Sequence, residues 1–169
     1  MLEQNEPLDW AAVITVPFKE KSRQIPSMTF VALFFYLVWV YMAHLIFALS
    51  FGLKPLTNVM TSFDLLLTQE GIVMLCGGTL VGGALALLLF AVTVVSIPMI
   101  LDREIDAVSA MITSFRAVLE NKGPMLLWGL IIAVSSMIAM VPLFLGMLVV
   151  FPVLGHTSWH LYKKAVAPE

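Results

Sequence analysis

The sequence predicts an all-α protein: a polytopic α-helical transmembrane bundle of four spans, with three as the alternative, plus one amphipathic surface helix. Of its 169 residues, 60% are hydrophobic and only 12% are charged. A soluble domain carries about 45–50% apolar and about 25% charged residues. The mean hydropathy of +0.99 and several long uncharged runs point the same way. This composition excludes a soluble globular domain and a disordered tail.

Charge and cysteine content exclude further classes of protein. The net charge of -2 leaves no concentrated basic face, so a nucleic-acid partner is not expected. The single cysteine, Cys76, rules out an intramolecular disulfide framework and a cysteine-rich metal site. The expected surroundings are therefore the lipid bilayer and other membrane helices, including those of a homo-oligomer.

The chain begins with a polar segment, residues 1–26, that we predict to be cytoplasmic. Within it, Trp10–Phe18 is apolar but too short to span, and predicts a small interfacial helix. Residues 27–51 carry no formal charge and exceed the about 20 apolar residues that a span needs. Trp39 and Tyr41 fall in the middle of this first span, so we expect them to pack against other helices.

The second predicted span covers residues 71–101 and is rich in small residues. Gly78 and Gly82 form a GxxxG motif that Ala86 extends, and such a stripe lets two helix backbones approach closely in lipid. The motif is also common by chance in membrane sequences, so a span without a special packing face is the alternative. Pro98 is expected to kink or end this helix.

A different pattern follows at residues 102–121, where apolar residues recur every three or four positions and predict an amphipathic helix. Asp102 is expected to cap its start and Gly123-Pro124 to stop it. Glu104, Asp106 and Glu120 are expected to be exposed. The predicted apolar stripe consists of Ile105, Val108, Ile112, Phe115 and Leu119, and the helix is expected to lie flat on the membrane or to pack under the bundle.

The apolar stretch after this helix is long enough to be one kinked helix or two spans. With four spans, Lys and Arg divide eight to one between the two sides of the membrane, whereas three spans give six to three. Because cytoplasmic loops carry the excess, we predict spans at 124–140 and 143–162 and both termini in the cytoplasm. The membrane domain would then cover residues 27–166, with 167–169 as a tail, in a bacterial inner membrane.

Three histidines are the candidate ligands of a cofactor. His156 and His160 are four residues apart, which places them on one helix face, where they could hold a metal ion or haem. The alternative is an interfacial aromatic and basic belt at the end of the last span. His44 lies within the first span and is expected to be a buried hydrogen-bonding residue. Neither a metal site nor a cofactor is the favoured expectation, and haem is the cofactor kept open.

Charged residues gather where the second predicted span meets the membrane surface. Asp102, Arg103 and Asp106, with Trp159 from the last span, form a candidate interface cluster. The structural interpretation is a helix cap with local ion pairs, and the functional interpretation is a binding site for an ion or a partner. The sequence carries no serine-histidine-aspartate pattern, P-loop or nucleotide fingerprint, so we expect no enzymatic activity.

Three phrases of the sequence resemble a known family. S-x-P-M-x-x-D-R and N-x-G-P-M-x-x-W-G fall in 95–131, and P-V-L-G-H-x-x-W-H-L-Y falls in 141–166. They resemble the C-terminal half of domain-of-unknown-function family 2189, bacterial predicted integral membrane proteins. The resemblance covers roughly 29–166 and implies a minimal member, because family members usually have two more spans upstream. Some members are labelled as a cytochrome c oxidase, but three histidines cannot supply the catalytic subunit's six-histidine haem-copper centre.

The sequence and the resemblance together predict an uncharacterised, non-enzymatic inner-membrane protein. The expected role is an accessory or assembly component of a larger membrane complex, with a respiratory oxidase as the specific case. The first alternative is a transport or channel component that works as an oligomer. The second alternative is a haem- or metal-binding membrane protein that uses His156 and His160.

Overall fold

The computed structural model describes residues 25–52 and 66–165, and this part of the chain is helical without strands. The predicted all-α fold is therefore confirmed. The predicted interfacial helix Trp10–Phe18 lies outside the described residues. The helices are α1 (Ile25–Phe51), α2 (Gln69–Thr93), α3 (Ser96–Asp102), α4 (Ala107–Glu120), α5 (Lys122–Met140) and α6 (Met147–Ala165).

Three stretches of the described residues are long and apolar enough to cross a membrane. They are Pro26–Phe51, Gln69–Asp102 and Lys122–Met140, the second of which runs through both α2 and α3. α6 is a separate helix of 19 residues, but it ends in a polar segment and does not reach the same apolarity. The fourth span therefore stays a prediction.

The helices form two antiparallel pairs that meet at one end of the molecule. α1 packs along α2, and α5 packs along α6. The start of α1, the junction of α2 with α3 and the start of α5 pack on α4, and the end of α6 joins them through α3. We call this region the core end. Its buried side chains come from all six helices and include Met28, Val95, Ile100, Ala110, Met125 and Tyr162.

A serine hydroxyl creates the bend between α2 and α3. The backbone N–H of Val95 donates to Ser114 Oγ at 3.1 Å, and the Ser114 hydroxyl donates to the Ala91 carbonyl at 2.7 Å. In an uninterrupted α-helix, the Val95 N–H would bond that carbonyl directly. The hydroxyl is therefore inserted into the hydrogen-bond ladder, which kinks a helix. Pro98, one turn later, has no N–H to donate to the Val94 carbonyl, so the predicted break near this proline is found.

α4 starts later than the sequence predicts, and Asp102 is not its cap. Asp102 is the last residue of α3, and Arg103 continues in an extended conformation. The N-cap is Asp106, whose Oδ2 accepts the backbone N–H of Ser109 at 2.8 Å. The prediction failed because both aspartates precede the same apolar run, and only Asp106 has the extended backbone of an N-cap, whereas Asp102 is still helical.

The apolar stripe of α4 does not pack under the bundle, whereas its placement on the membrane surface stays a prediction. Val108, Ile112, Phe115 and Leu119 are exposed, by 39% to 60%, and Ile105 is partly buried just before the helix. The face that packs on α2 and α3 is made of smaller side chains, and this closeness lets Ser114 reach the backbone of α2. It consists of Ala107, Ala110, Ser114 and Val118. The predicted exposure of Glu104, Asp106 and Glu120 is found.

Gly123-Pro124 does not stop α4. The chain breaks at Asn121 and α5 starts at Lys122, so the glycine and the proline both lie in the first turn of α5. Proline is tolerated there because the first N–H groups of a helix have no partner within it. The predicted helix terminator is therefore part of the start of the next helix.

A tight turn, Val141–Gly146, separates α5 from α6, close to the predicted turn at Val141-Pro142. Leu143 and Phe144 have φ values of 51° and 65°, which side chains other than glycine rarely adopt. At Gly146, a Cβ atom would lie 2.8 Å from the backbone of Ala139, so only glycine allows this approach. The long apolar stretch is thus two helices rather than one kinked helix.

Candidate functional site

Asp102 is the centre of a polar cluster at the core end. The hydroxyl of Tyr162, at the end of α6, donates to Asp102 Oδ2 at 2.8 Å. Lys163 Nζ lies 3.6 Å from Asp102 Oδ1, and Arg103 Nε lies 3.9 Å from Oδ2. The Lys163 ammonium also lies 5.2 Å from the centroid of the Trp159 ring. The cluster therefore joins the end of α3 to the end of α6.

The burial of this cluster indicates a structural contact. Tyr162 is 1% exposed and its ring packs 5.6 Å from that of Trp159, whereas the Asp102 side chain is 26% exposed. Partly exposed ion pairs contribute about 0–1 kcal/mol, so the buried tyrosine and its hydrogen bond are the stronger attachment. The sequence places Tyr162 in the interfacial aromatic and basic belt with Trp159, three residues earlier, but gives no signal for its contact with Asp102.

The candidate interface cluster divides into two parts. Asp102, Arg103 and Trp159 belong to the contact with α6, while Asp106 is on the solvent side and caps α4. The backbone N–H of Ser109 stabilises the carboxylate and holds the pKa of Asp106 below its ordinary value of 3.8. A lowered carboxyl pKa is typical of a helix cap, where the donor is a backbone N–H.

His156 and His160 are brought together on the exposed side of α6. Their Nε2 atoms are 3.1 Å apart and their rings are nearly perpendicular, at 83°. Two ligands on opposite sides of a haem iron lie about 4 Å apart, twice a metal–nitrogen bond of about 2 Å. The observed distance instead suits two neighbouring positions around one metal ion.

His44 lies apart from this pair, on α1. Its Nδ1 is 2.7 Å from the Val40 carbonyl, one turn earlier in the same helix. The expected hydrogen bond is present, but the residue is exposed rather than buried. A histidine bound to its own helix in this way adds no ligand to the pair on α6.

The small residues of α2 face α1. Gly82 lies against Trp39, whose Nε1 would be 3.2 Å from an added Cβ atom, while Gly78 has nothing within 4 Å of that position. Gly78 and Ala86 line two neighbouring apolar cavities between the helices, of about 330 and 260 Å³. Trp39 thus packs on Gly82, as its mid-span position predicts, although it is still 48% exposed, and Tyr41 is 66% exposed.

Two further cavities lie beside α6. One, of about 420 Å³, opens between α2–α3 and the α5–α6 pair and is mainly apolar, with Phe90 and Trp159 in its wall. The other, of about 490 Å³, lies between the start of α5 and the end of α6 and contains His160 and Lys164. Neither cavity brings together an acid, a base and a nucleophile among the described residues.

Comparison with known proteins identifies one family. The family described as "Predicted integral membrane protein (DUF2189)" matches residues 1–102. This match includes α1, α2 and α3, and of the three phrases quoted above it contains only the first, up to Asp102. The chain has no match among the curated proteins and none among the solved structures.

Proposed function

The chain belongs to the DUF2189 family of predicted integral membrane proteins, and we propose that it is a non-enzymatic accessory or assembly component of a larger membrane complex. It works through contacts between its helices and those of partner subunits. A respiratory oxidase is the first complex to test, because of the label that some family members carry. The inner membrane of a bacterium is the proposed location.

One observation carries this proposal: the polar contacts at the core end serve the fold, whereas the outer helix faces are apolar and unpartnered. Ser114 supports the helix break, Tyr162 and Asp102 join two helices, and Asp106 caps α4. Outside the core end, large apolar side chains are exposed on both helix pairs, among them Phe30, Leu37, Leu80, Val149 and Phe151. Lipid or partner helices must cover these faces.

The absence of intramembrane acids supports this role over that of an ion-coupled transporter. Within the described spans, no carboxylate lies between Ile72 and Leu101 or along α5. Transporters and pumps use ionisable groups at membrane depth. A substrate-dependent flux in liposomes that contain only this chain would contradict the accessory role and favour transport.

Site-specific photocrosslinking tests the proposal in the native membrane. A photoreactive amino acid replaces Leu37 on α1, Leu80 on α2 or Val149 on α6, with exposed Glu120 on α4 as the control position. We expect one of the apolar faces to capture the same subunit repeatedly, and the control to capture none of it. Adducts with lipid alone from all three apolar positions would contradict the proposal.

A pair of variants makes the test quantitative. If α1 is the partner face, Phe30→Ala with Leu37→Ala should reduce stoichiometric co-purification in mild detergent, because both side chains are exposed and contribute little to the fold. Val149→Ala with Phe151→Ala on α6 is the matched control. The partner subunit should no longer co-purify with the α1 variant and should still co-purify with the α6 variant. Equal co-purification with both variants contradicts a role that depends on helix contacts.

The proposed orientation places both termini in the cytoplasm. The eight-to-one division of Lys and Arg under four spans supports this arrangement. A reporter fused to the C-terminus should be active only in its cytoplasmic form. Activity of a periplasmic reporter there would contradict it and favour three spans.

A further inference from the structure

We propose that His156 and His160 chelate one divalent transition-metal ion of the Cu²⁺, Ni²⁺ or Zn²⁺ class on the surface of α6. The site is independent of the proposed accessory role. It rests on two exposed imidazoles whose positions are fixed by a single helix.

The distance between the two rings matches a chelate. Nε2 of His156 and Nε2 of His160 are 3.1 Å apart. Two metal–nitrogen bonds of about 2.0–2.1 Å that meet at 90–110° place the nitrogens about 2.9–3.4 Å apart. One Nε2–H donates to the other Nε2, so the two nitrogens are already in contact and within reach of one ion.

The helix fixes this arrangement before any metal binds. Residues four apart are neighbours on a helix face, so the two side chains reach one ion without a change of backbone. Trp159, between them, turns toward the core end, and Tyr162 anchors the same part of the helix to Asp102. The exposed chelating face and the packed face are therefore different sides of α6.

The donor set selects the class of ion. Neutral imidazole suits Zn²⁺, Cu²⁺ and Ni²⁺, whereas Mg²⁺ and Ca²⁺ prefer oxygen ligands. Within residues 25–52 and 66–165, no group of three His, Cys, Asp or Glu side chains is placed to share an ion. Both histidines lie in the last two turns of the predicted span 143–162, so water at the membrane interface completes the coordination. Cu²⁺ is expected to bind most tightly of the three ions.

The experiment uses the full chain in detergent, after removal of any histidine tag, and titrates it with Cu²⁺ or Zn²⁺ salts alone. We expect one ion per chain, and Cu²⁺ electron paramagnetic resonance should show two nitrogen ligands. His156→Gln or His160→Gln should each weaken binding about 100-fold. Only one imidazole then binds the ion, and the advantage of two linked ligands on one helix is lost. Both positions are exposed, so the fold should survive either substitution.

Two control variants separate chelation from ordinary histidine binding. His44→Gln removes a histidine that lies on α1 and should leave the affinity unchanged. Thr157→His with His160→Gln keeps the number of histidines but puts two of them side by side, about 100° apart around the helix, and should bind as weakly as the single variants. The proposal is overturned if this double variant binds as tightly as the unaltered chain, or if His156→Gln has no effect.

Discussion

The chain breaks its helices at two prolines, and the two breaks are built in opposite ways. Near Pro98, the break between α2 and α3 is buried, and Ser114 from a third helix bonds the interrupted backbone. Near Pro142, the turn between α5 and α6 is exposed, and Leu143 is 86% exposed. There the backbone itself takes positive φ values and approaches the previous helix at Gly146.

This difference shows what a proline does and does not determine. Proline removes one donor and disfavours the helical conformation of the residue before it, so it favours a bend, although Pro152 lies inside α6 without ending that helix. It does not determine how the freed backbone groups find partners. In a buried break a side chain must supply them, because an unpaired buried group costs free energy. In an exposed turn, local backbone bonds suffice.

The largest expected effect comes from Ser114→Ala, which removes the side chain that supports the buried break. The Val95 N–H and the Ala91 carbonyl would then lack their partner, unless α2 and α3 straighten and lose their packing on α4. We expect the free energy of unfolding in detergent to fall by about 1–3 kcal/mol. Ser135→Ala is the control, because its hydroxyl bonds Ile131 within its own helix. Equal stability of the two variants would show that Ser114 does not support the break.

Gly82→Leu tests the close contact between α1 and α2, away from either break. A leucine there must displace Trp39, so we expect a loss of about 1–3 kcal/mol in the free energy of unfolding. Gly78→Leu and Ala84→Leu should cost less, since Gly78 has open space and Ala84 is exposed. Thermal unfolding in detergent would rank the three. Equal losses of stability in the three variants would mean that Trp39 does not restrict the size of the side chain at position 82.

The sequence predicted the helices better than it predicted their contacts. Uncharged runs and prolines located α1, the bend near Pro98 and the turn after α5, because these depend on local composition. The prediction of which face of α4 packs on the other helices was wrong. The spacing of the apolar residues identifies an amphipathic helix, but it does not show which neighbour each face contacts. Small residues such as Ala110 and Ser114 pack inward, and the larger Ile112 faces outward.

The candidate site shows the same limit. The histidine pair follows directly from a spacing of four within one helix. The attachment of Tyr162 to Asp102 joins residues 60 positions apart, and only the tertiary structure brings them together. Asp102 and Asp106 are equally suitable N-cap residues by type. Asp106 is the cap because the chain is extended there, whereas Asp102 still belongs to α3.

Gly146→Ala tests the exposed break and should have a smaller effect. The added Cβ would meet the backbone of buried Ala139 at 2.8 Å, so the turn backbone must move. Residues 141–145 are exposed and can move without opening the core end. We expect a loss of about 1 kcal/mol in the free energy of unfolding. Gly155→Ala, within α6 and with open space at its Cβ, should instead stabilise by up to about 1 kcal/mol. A loss at Gly146 as large as that of Ser114→Ala would remove the contrast between the two breaks.

The smallest expected effect is a pH dependence of stability that comes from Asp106. This residue is the exposed N-cap of α4, the helix whose Ser114 supports the buried break. The Ser109 N–H lowers the pKa of Asp106 in the folded protein, whereas an unfolded chain keeps the ordinary value of 3.8. The contribution of this cap is therefore complete above pH 3.8 and is lost as the pH falls through the lower, folded pKa. Asp106→Asn keeps an oxygen acceptor but does not titrate. We expect the difference in unfolding midpoint between the two proteins to stay constant from pH 7 to about pH 5 and to change below about pH 4. A constant difference down to pH 3 would mean that the carboxylate does not cap α4, and that local backbone geometry alone starts the helix.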